Sequence, residues 1–151
     1  MHVLRAEKGF IISGQETDGS VTPEDLGMQW AIGYDKPHSW VGKRALSRSD
    51  TRRTNRKQLV GLKPRDPSVV LEEGAQIVFD PDHAIPMPMV GHVTSSYYSP
   101  TLKSGFALAV VKGGQSRMGE TVYLPMADGK THAAEIVGPI FYDPKGERQH
   151  V

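Results

Sequence analysis

Six short apolar segments dominate the second part of the chain: QLVGLK (58–63), AQIVF (75–79), MVGHVTSSYY (89–98), FALAVVK (106–112), ETVYLPM (120–126) and THAAEIV (131–137). They are rich in β-formers, and Gly, Pro or Asp separates each from the next. Strands of this length and spacing predict an antiparallel barrel or sandwich of about six strands. A barrel also disposes of its own sheet edges. The 16 glycines and 11 prolines fit short elements joined by many turns rather than long helices.

Residues 1–46 follow another pattern and read as the tail of a mixed α/β domain. In MHVLRAEKGF the apolar Met1, Val3 and Leu4 share one helical face, and the helix ends at Lys8, where Gly9 takes the left-handed C′ position. FIIS (10–13) suffices for one strand or an extended segment. TPEDLG (22–27) looks like a helix start, with Thr22 as N-cap, Pro23 in the first turn, and Glu24 and Asp25 complementing the dipole. MQWAIGY (28–34) alternates like a strand, and SWVGKRAL (39–46) reads as a short helix capped by Ser39 with Val41, Ala45 and Leu46 inward. SRSDTRRTNRK (47–57) is polar, basic and aperiodic, which predicts a solvated linker before a barrel over 58–148. The fold class is therefore α+β.

Several chemistries are excluded by residue type and spacing. The chain has no cysteine, so disulfides, thiolate metal sites and a cysteine nucleophile are ruled out. Its six histidines are scattered without ligand spacing, so no zinc or other metal site is expected. GYDKPHSWVGKR (33–44) has Pro37 and Arg44 where a P-loop needs Gly and Ser or Thr, and GGQSRMG (113–119) reads as a hairpin turn, not a dinucleotide loop. A net charge of +1, with no aromatic residues interleaved in the basic run, argues against a nucleic-acid partner. No apolar run has the roughly 18 residues that span a bilayer. No signal-peptide pattern opens the chain, so the expectation is a cytoplasmic protein without a membrane partner.

Three stretches remain as candidates. Arg5 and Glu7 lie two apart near a helix end, do not face each other, and so need different partners. Taken alone, they read as an arginine beside a core helix and a glutamate on the surface. A guanidinium fork held inside a domain nevertheless suits a carboxylate or a polar heteroaromatic edge. In TSSYYSPTL (94–102), Tyr97 and Tyr98 point to opposite faces, one packed and one free to cover a ligand. In GPIFYDPKGER (138–148), Arg148 can reach an anionic ligand tail if the C-terminus folds back.

The ordered series LRAEKGF, GQETDGSVTPED, WAI, VGKRAL, RKQLVGL, GHVTSSYYSPTL, ALAVVKGG and GETVYLP resembles the aminomethyltransferase (glycine-cleavage T-protein) superfamily over nearly the whole chain. AEKGF, RKQLVGL, the doubled tyrosine and GPIFYDPKGER resemble the branch of heterotetrameric sarcosine oxidase α subunits, with T-proteins and dimethylglycine dehydrogenase-like folate domains as alternatives. A non-catalytic module that packs against partner subunits is a further alternative. The branch resemblance implies the last piece of a folate-binding domain plus its C-terminal barrel, the rest of a larger subunit preceding LRAEKG. It implies oxidative demethylation of sarcosine, with the one-carbon unit passed to tetrahydrofolate as 5,10-methylenetetrahydrofolate, or lost as formaldehyde without folate. FAD, FMN and NAD of such a complex, and the aspartate assigned to proton transfer, would lie outside this segment, leaving no catalytic residue here. Partners would be folate and the other heterotetramer subunits. By resemblance Arg5 is the folate-contacting arginine of L-R-x-E-x-G, Glu7 its companion glutamate, and Tyr98 and Arg148 barrel-side folate contacts.

Overall fold

A computed structural model describes residues 1–149. Six strands form the predicted antiparallel sheet: β1 (Lys57–Pro64), β2 (Gln76–Ile77), β3 (Gly91–Ser99), β4 (Ser104–Lys112), β5 (Thr121–Pro125) and β6 (Thr131–Val137). Their spatial order is β2-β3-β4-β1-β6-β5. The two ends meet where Val78, just after β2, exchanges reciprocal backbone hydrogen bonds of 2.9 Å with Tyr123 of β5. That bridge closes the sheet into a barrel and leaves no long free edge.

Two apolar cores result. Val60, Leu62, Ile77, Val93, Ala107, Ala109, Val111, Leu124 and Ile136 fill the barrel. Phe106, Leu108 and Leu59 point outward from β4 and β1 and pack against Ala6, Val3, Ile11, Leu26 and Phe141. Strand β4 is therefore buried on both faces from Ser104 to Val111, which accounts for its uninterrupted apolar run.

A β-bulge between Val93 and Ser95 matters most for the site. Before it, Val93 pairs with inward Ala109; after it, Ser95 and Tyr97 pair with outward Leu108 and Phe106. The extra residue turns Ser95, Tyr97 and Ser99 toward the N-terminal segment.

That segment departs from the sequence reading in several places. Helix α1 (His2–Glu7) forms, and Gly9 follows with φ +71°. A Cβ there would stand 2.8 Å from the Pro139 carbonyl oxygen, so glycine is required twice over. The packed face, however, is Val3 and Ala6, while Met1 and Leu4 are exposed, because the helix is rolled by the polar anchors of Arg5 and Glu7. TPEDLG makes turns rather than a helix: Thr22 and Asp25 cap each other, but Asp25 is drawn to Arg56. MQWAIGY is not a strand but a 3-10 turn (Gln29–Ala31) with exposed Trp30, since a closed barrel offers it no edge.

SWVGKRAL keeps only α2 (Lys43–Leu46). Left-handed Gly42 precedes it, Ser39 makes no cap, Val41 and Ala45 are exposed and Leu46 is partly buried. The basic stretch is not wholly solvated, for Arg56 is partly buried and pairs with buried Asp25 (2.8 Å) and exposed Asp50 (3.0 Å). GGQSRMG is no hairpin either, because β4 and β5 are not neighbours. Gly113 and a 3-10 turn (Gly114–Ser116) carry the chain past β1 instead.

Candidate functional site

Arg5 sits in the last turn of α1 with its side chain only 12% exposed. Nη1 donates to Glu16 Oε2 (3.0 Å) and the Phe10 carbonyl (3.1 Å). Nη2 donates to Ser95 Oγ (2.7 Å), Tyr97 Oη (3.3 Å) and Gln15 Oε1 (3.4 Å). Cζ lies 5.8 Å from the Tyr97 ring centroid, within cation–π range. Glu16 is buried, and it also accepts the Ile12 amide (2.7 Å) and the Ser95 hydroxyl. The result is a charge-neutral, densely bonded hub joining α1, the 13–17 turn and the bulged strand β3. One donor is left over: Arg5 Nε is buried and has no partner among the described residues.

The other predicted residues lie around this hub rather than in it. Glu7 is buried, not on the surface, and accepts a 2.6 Å hydrogen bond from Ser99 Oγ. Its carbonyl accepts from the Phe141 and Tyr142 amides at 2.8 and 3.0 Å. Arg5 and Glu7 thus have separate partners, as their i, i+2 spacing requires. Tyr98 is exposed on the face of β3 opposite Ser95 and Tyr97. Arg148 donates to Tyr142 Oη (2.6 Å), and it shares with Glu7, Leu4 and Lys8 a shallow cavity of about 340 Å³ that neither Arg5 nor Tyr98 lines.

Sequence reasoning missed Gln15, Glu16 and Ser95, and of the tyrosine pair it assigned the ligand contact to Tyr98, whereas Tyr97 meets Arg5. The available signal was a strand, TSSYYS, with polar groups on both faces and hence a need for polar partners outside the barrel.

Other cavities flank the hub. A largely apolar groove of about 510 Å³ lies between Phe10, Ile11, Trp30, Leu59 and Met118. On another side a small cavity of about 180 Å³ reaches Gln15 and Glu16. It shares Asp18, Val21, His92 and Val110 with a polar cleft of about 430 Å³. Among the described residues, which exclude His150, no cluster of three or more His, Cys, Asp or Glu could hold a metal ion.

Residues 57–143 match the glycine cleavage T-protein C-terminal barrel domain. The chain belongs to this family. It is 47% identical to the sarcosine oxidase subunit alpha of Corynebacterium sp. (strain P-1), over 99% of this chain and 15% of that protein. The Rhizobium meliloti (strain 1021) subunit is 38% identical over 100% of this chain and 15% of the relative. An aminomethyltransferase of Prochlorococcus marinus is 32% identical over 92% of this chain and 35% of its own length. The crystal structure of glycine cleavage system aminomethyltransferase T from Bartonella henselae superposes with a TM-score of 0.78 at 23% identity, covering 95% of this chain and 38% of that one, and so shares the fold. The chain spans about 15% of the length of the sarcosine oxidase relatives.

Proposed function

We propose that this chain is the folate-facing C-terminal part of a sarcosine oxidase α-type subunit. Residues 1–46 are then the end of the folate-binding domain, 47–57 the connection, and 58–148 its barrel. The parent enzyme would demethylate sarcosine oxidatively and pass the one-carbon unit to tetrahydrofolate as 5,10-methylenetetrahydrofolate. The sarcosine oxidase branch is favoured over an aminomethyltransferase by 47% against 32% identity. FAD, FMN and NAD belong to other parts of that complex, and the remaining subunits are its partners. A cytoplasmic location suits it; among the described residues no helix is long and apolar enough to cross a membrane.

The observation that carries the folate reading is the uncommitted Arg5 Nε. Glu16, Ser95, Tyr97 and Gln15 hold the guanidinium plane, so this N–H is fixed in direction before any ligand arrives. Nε is buried, so one acceptor on a pterin or an amide edge satisfies it only when the ligand displaces the side chains that cover it. Folate, when bound, supplies the amines that take up the one-carbon unit; this chain binds and orients. Tyr98 and Arg148 fit only as contacts to more distant parts of the ligand.

The test is a calorimetric titration of this chain with 5-formyltetrahydrofolate, repeated with Arg5→Lys. Lysine keeps a cation beside Glu16 but deletes the Nε donor. A loss of about tenfold in affinity, equivalent to one good hydrogen bond, is expected. Equal affinity in the two proteins removes Arg5 from the folate site.

A second reading rests on the apolar groove, where Phe10 is 65% and Trp30 79% exposed. Such a patch suits a subunit contact. A strictly monomeric chain at high concentration, by light scattering, speaks against it.

A further inference from the structure

Lys57 and Lys112 stand directly opposite each other in the β1–β4 ladder. Like charges in that position repel. Among the described residues neither lysine forms an ion pair. Both line the polar cleft of about 430 Å³ between the Asp18–Val21 turn and the outer faces of β1, β3 and β4.

The acids in that cleft are already engaged. Asp50 pairs with Arg53 and Arg56. Asp18 accepts the Ser20 amide (2.7 Å) and hydroxyl (2.6 Å). Asp18 offsets Lys57 in part, but the cleft lining sets Arg53, Arg56, Lys57 and Lys112 against Asp18 and Asp50, which leaves a surplus of positive charge. His92, on β3 beside them, is held neutral-leaning by burial and by Lys57, which push its pKa down. A neutral imidazole still offers one N–H donor.

We propose that this cleft binds a small molecule bearing two or more adjacent anionic oxygen groups, bridged between Lys57 and Lys112. Its dimensions accept either a phosphate ester or a short chain of carboxylates. The adjoining cavity of about 180 Å³ continues past His92 to Gln15 and Glu16, so an elongated ligand can run from the lysines toward the Arg5 hub. Lys57 and Lys112 face each other whether or not folate meets Arg5.

The experiment titrates the 151-residue chain with pyrophosphate and, separately, with tri-γ-glutamate at low salt, by calorimetry. The His92 ring resonances are followed by NMR in parallel. Expected are saturable binding that weakens with salt, about tenfold weaker binding in Lys112→Gln, and near-native affinity in Lys112→Arg. The His92 pKa should rise on binding, since a bound anion offsets Lys57. Urea unfolding should find Lys112→Gln as stable as the parent chain, because removing one of two opposed like charges does not weaken the ladder. Preference for tri-γ-glutamate identifies a carboxylate chain, and preference for pyrophosphate a phosphate ester. No saturable binding of either probe at millimolar concentration, or unchanged affinity in Lys112→Gln, overturns the proposal.

Discussion

Arg5 and Glu16 meet at 3.0 Å, with side chains 12% and 0% exposed. A helix of six residues has little stability of its own. This pair, together with Glu7–Ser99, fastens it to the barrel. The same contact fixes the plane of the guanidinium, so the residue with a proposed ligand role is also a structural keystone. Binding and folding are therefore coupled at this position.

Arg5→Ala leaves the Glu16 carboxylate buried without its cation. Breaking such a pair costs about 3–5 kcal/mol. Urea unfolding should show a large fall in midpoint for Arg5→Ala and a smaller one for Arg5→Lys. An alanine variant as stable as the parent chain contradicts the keystone role.

Asp25 and Arg56 form the second buried pair, at 2.8 Å. Asp25 draws Arg56 above its ordinary pKa, chiefly through their hydrogen bonds, so the cation persists at any working pH. Arg56→Ala should loosen the 20–31 segment. Limited proteolysis should then cut around Trp30 faster than in the parent chain, while cleavage within the barrel strands stays slow.

Gly105 in β4 has no room for a side chain, because a Cβ there collides with the Val69 carbonyl oxygen. The Gly105 amide is also bonded to the Pro67 carbonyl at 2.7 Å, which resists backbone retreat. Gly105→Ala should cost about 1–3 kcal/mol by overpacking. Thermal or urea unfolding measures it.

His92 links stability to pH. Its folded-state pKa is pushed below the ordinary 6.5, first by burial and then by Lys57, with Asp18 opposing. The unfolded chain therefore takes up the proton first as pH falls. Its contribution is present above about pH 6.5 and is lost as pH drops through the folded-state pKa. His92→Gln should flatten this part of the stability–pH curve between about pH 7 and pH 5. An identical slope in the variant places the titration elsewhere.

The barrel was legible because its strands carry local signals: apolar runs of strand length, each ended by Gly, Pro or Asp. The left-handed Gly9 and the opposite faces of Tyr97 and Tyr98 were legible for the same reason, since each follows from the backbone of a few adjacent residues. The N-terminal elements were not. MQWAIGY has a strand pattern but no available edge, and TPEDLG has a capping pair whose acid is taken by Arg56, 31 residues away.

The site divides along the same line. Sequence by itself determined that Arg5 and Glu7 need different partners and that one tyrosine of the pair would be packed and the other free. Only the tertiary structure decided which tyrosine meets Arg5. Unbroken alternation from inward Val93 puts Tyr98 on the outer face, whereas the bulge before Ser95 puts Tyr97 there. It also decided that Glu16 neutralises Arg5 and that Lys57 opposes Lys112, 55 residues away along the chain. Those facts depend on strand register and on closure between Val78 and Tyr123, which are set by the packing of distant segments and leave no mark in any local stretch of the chain.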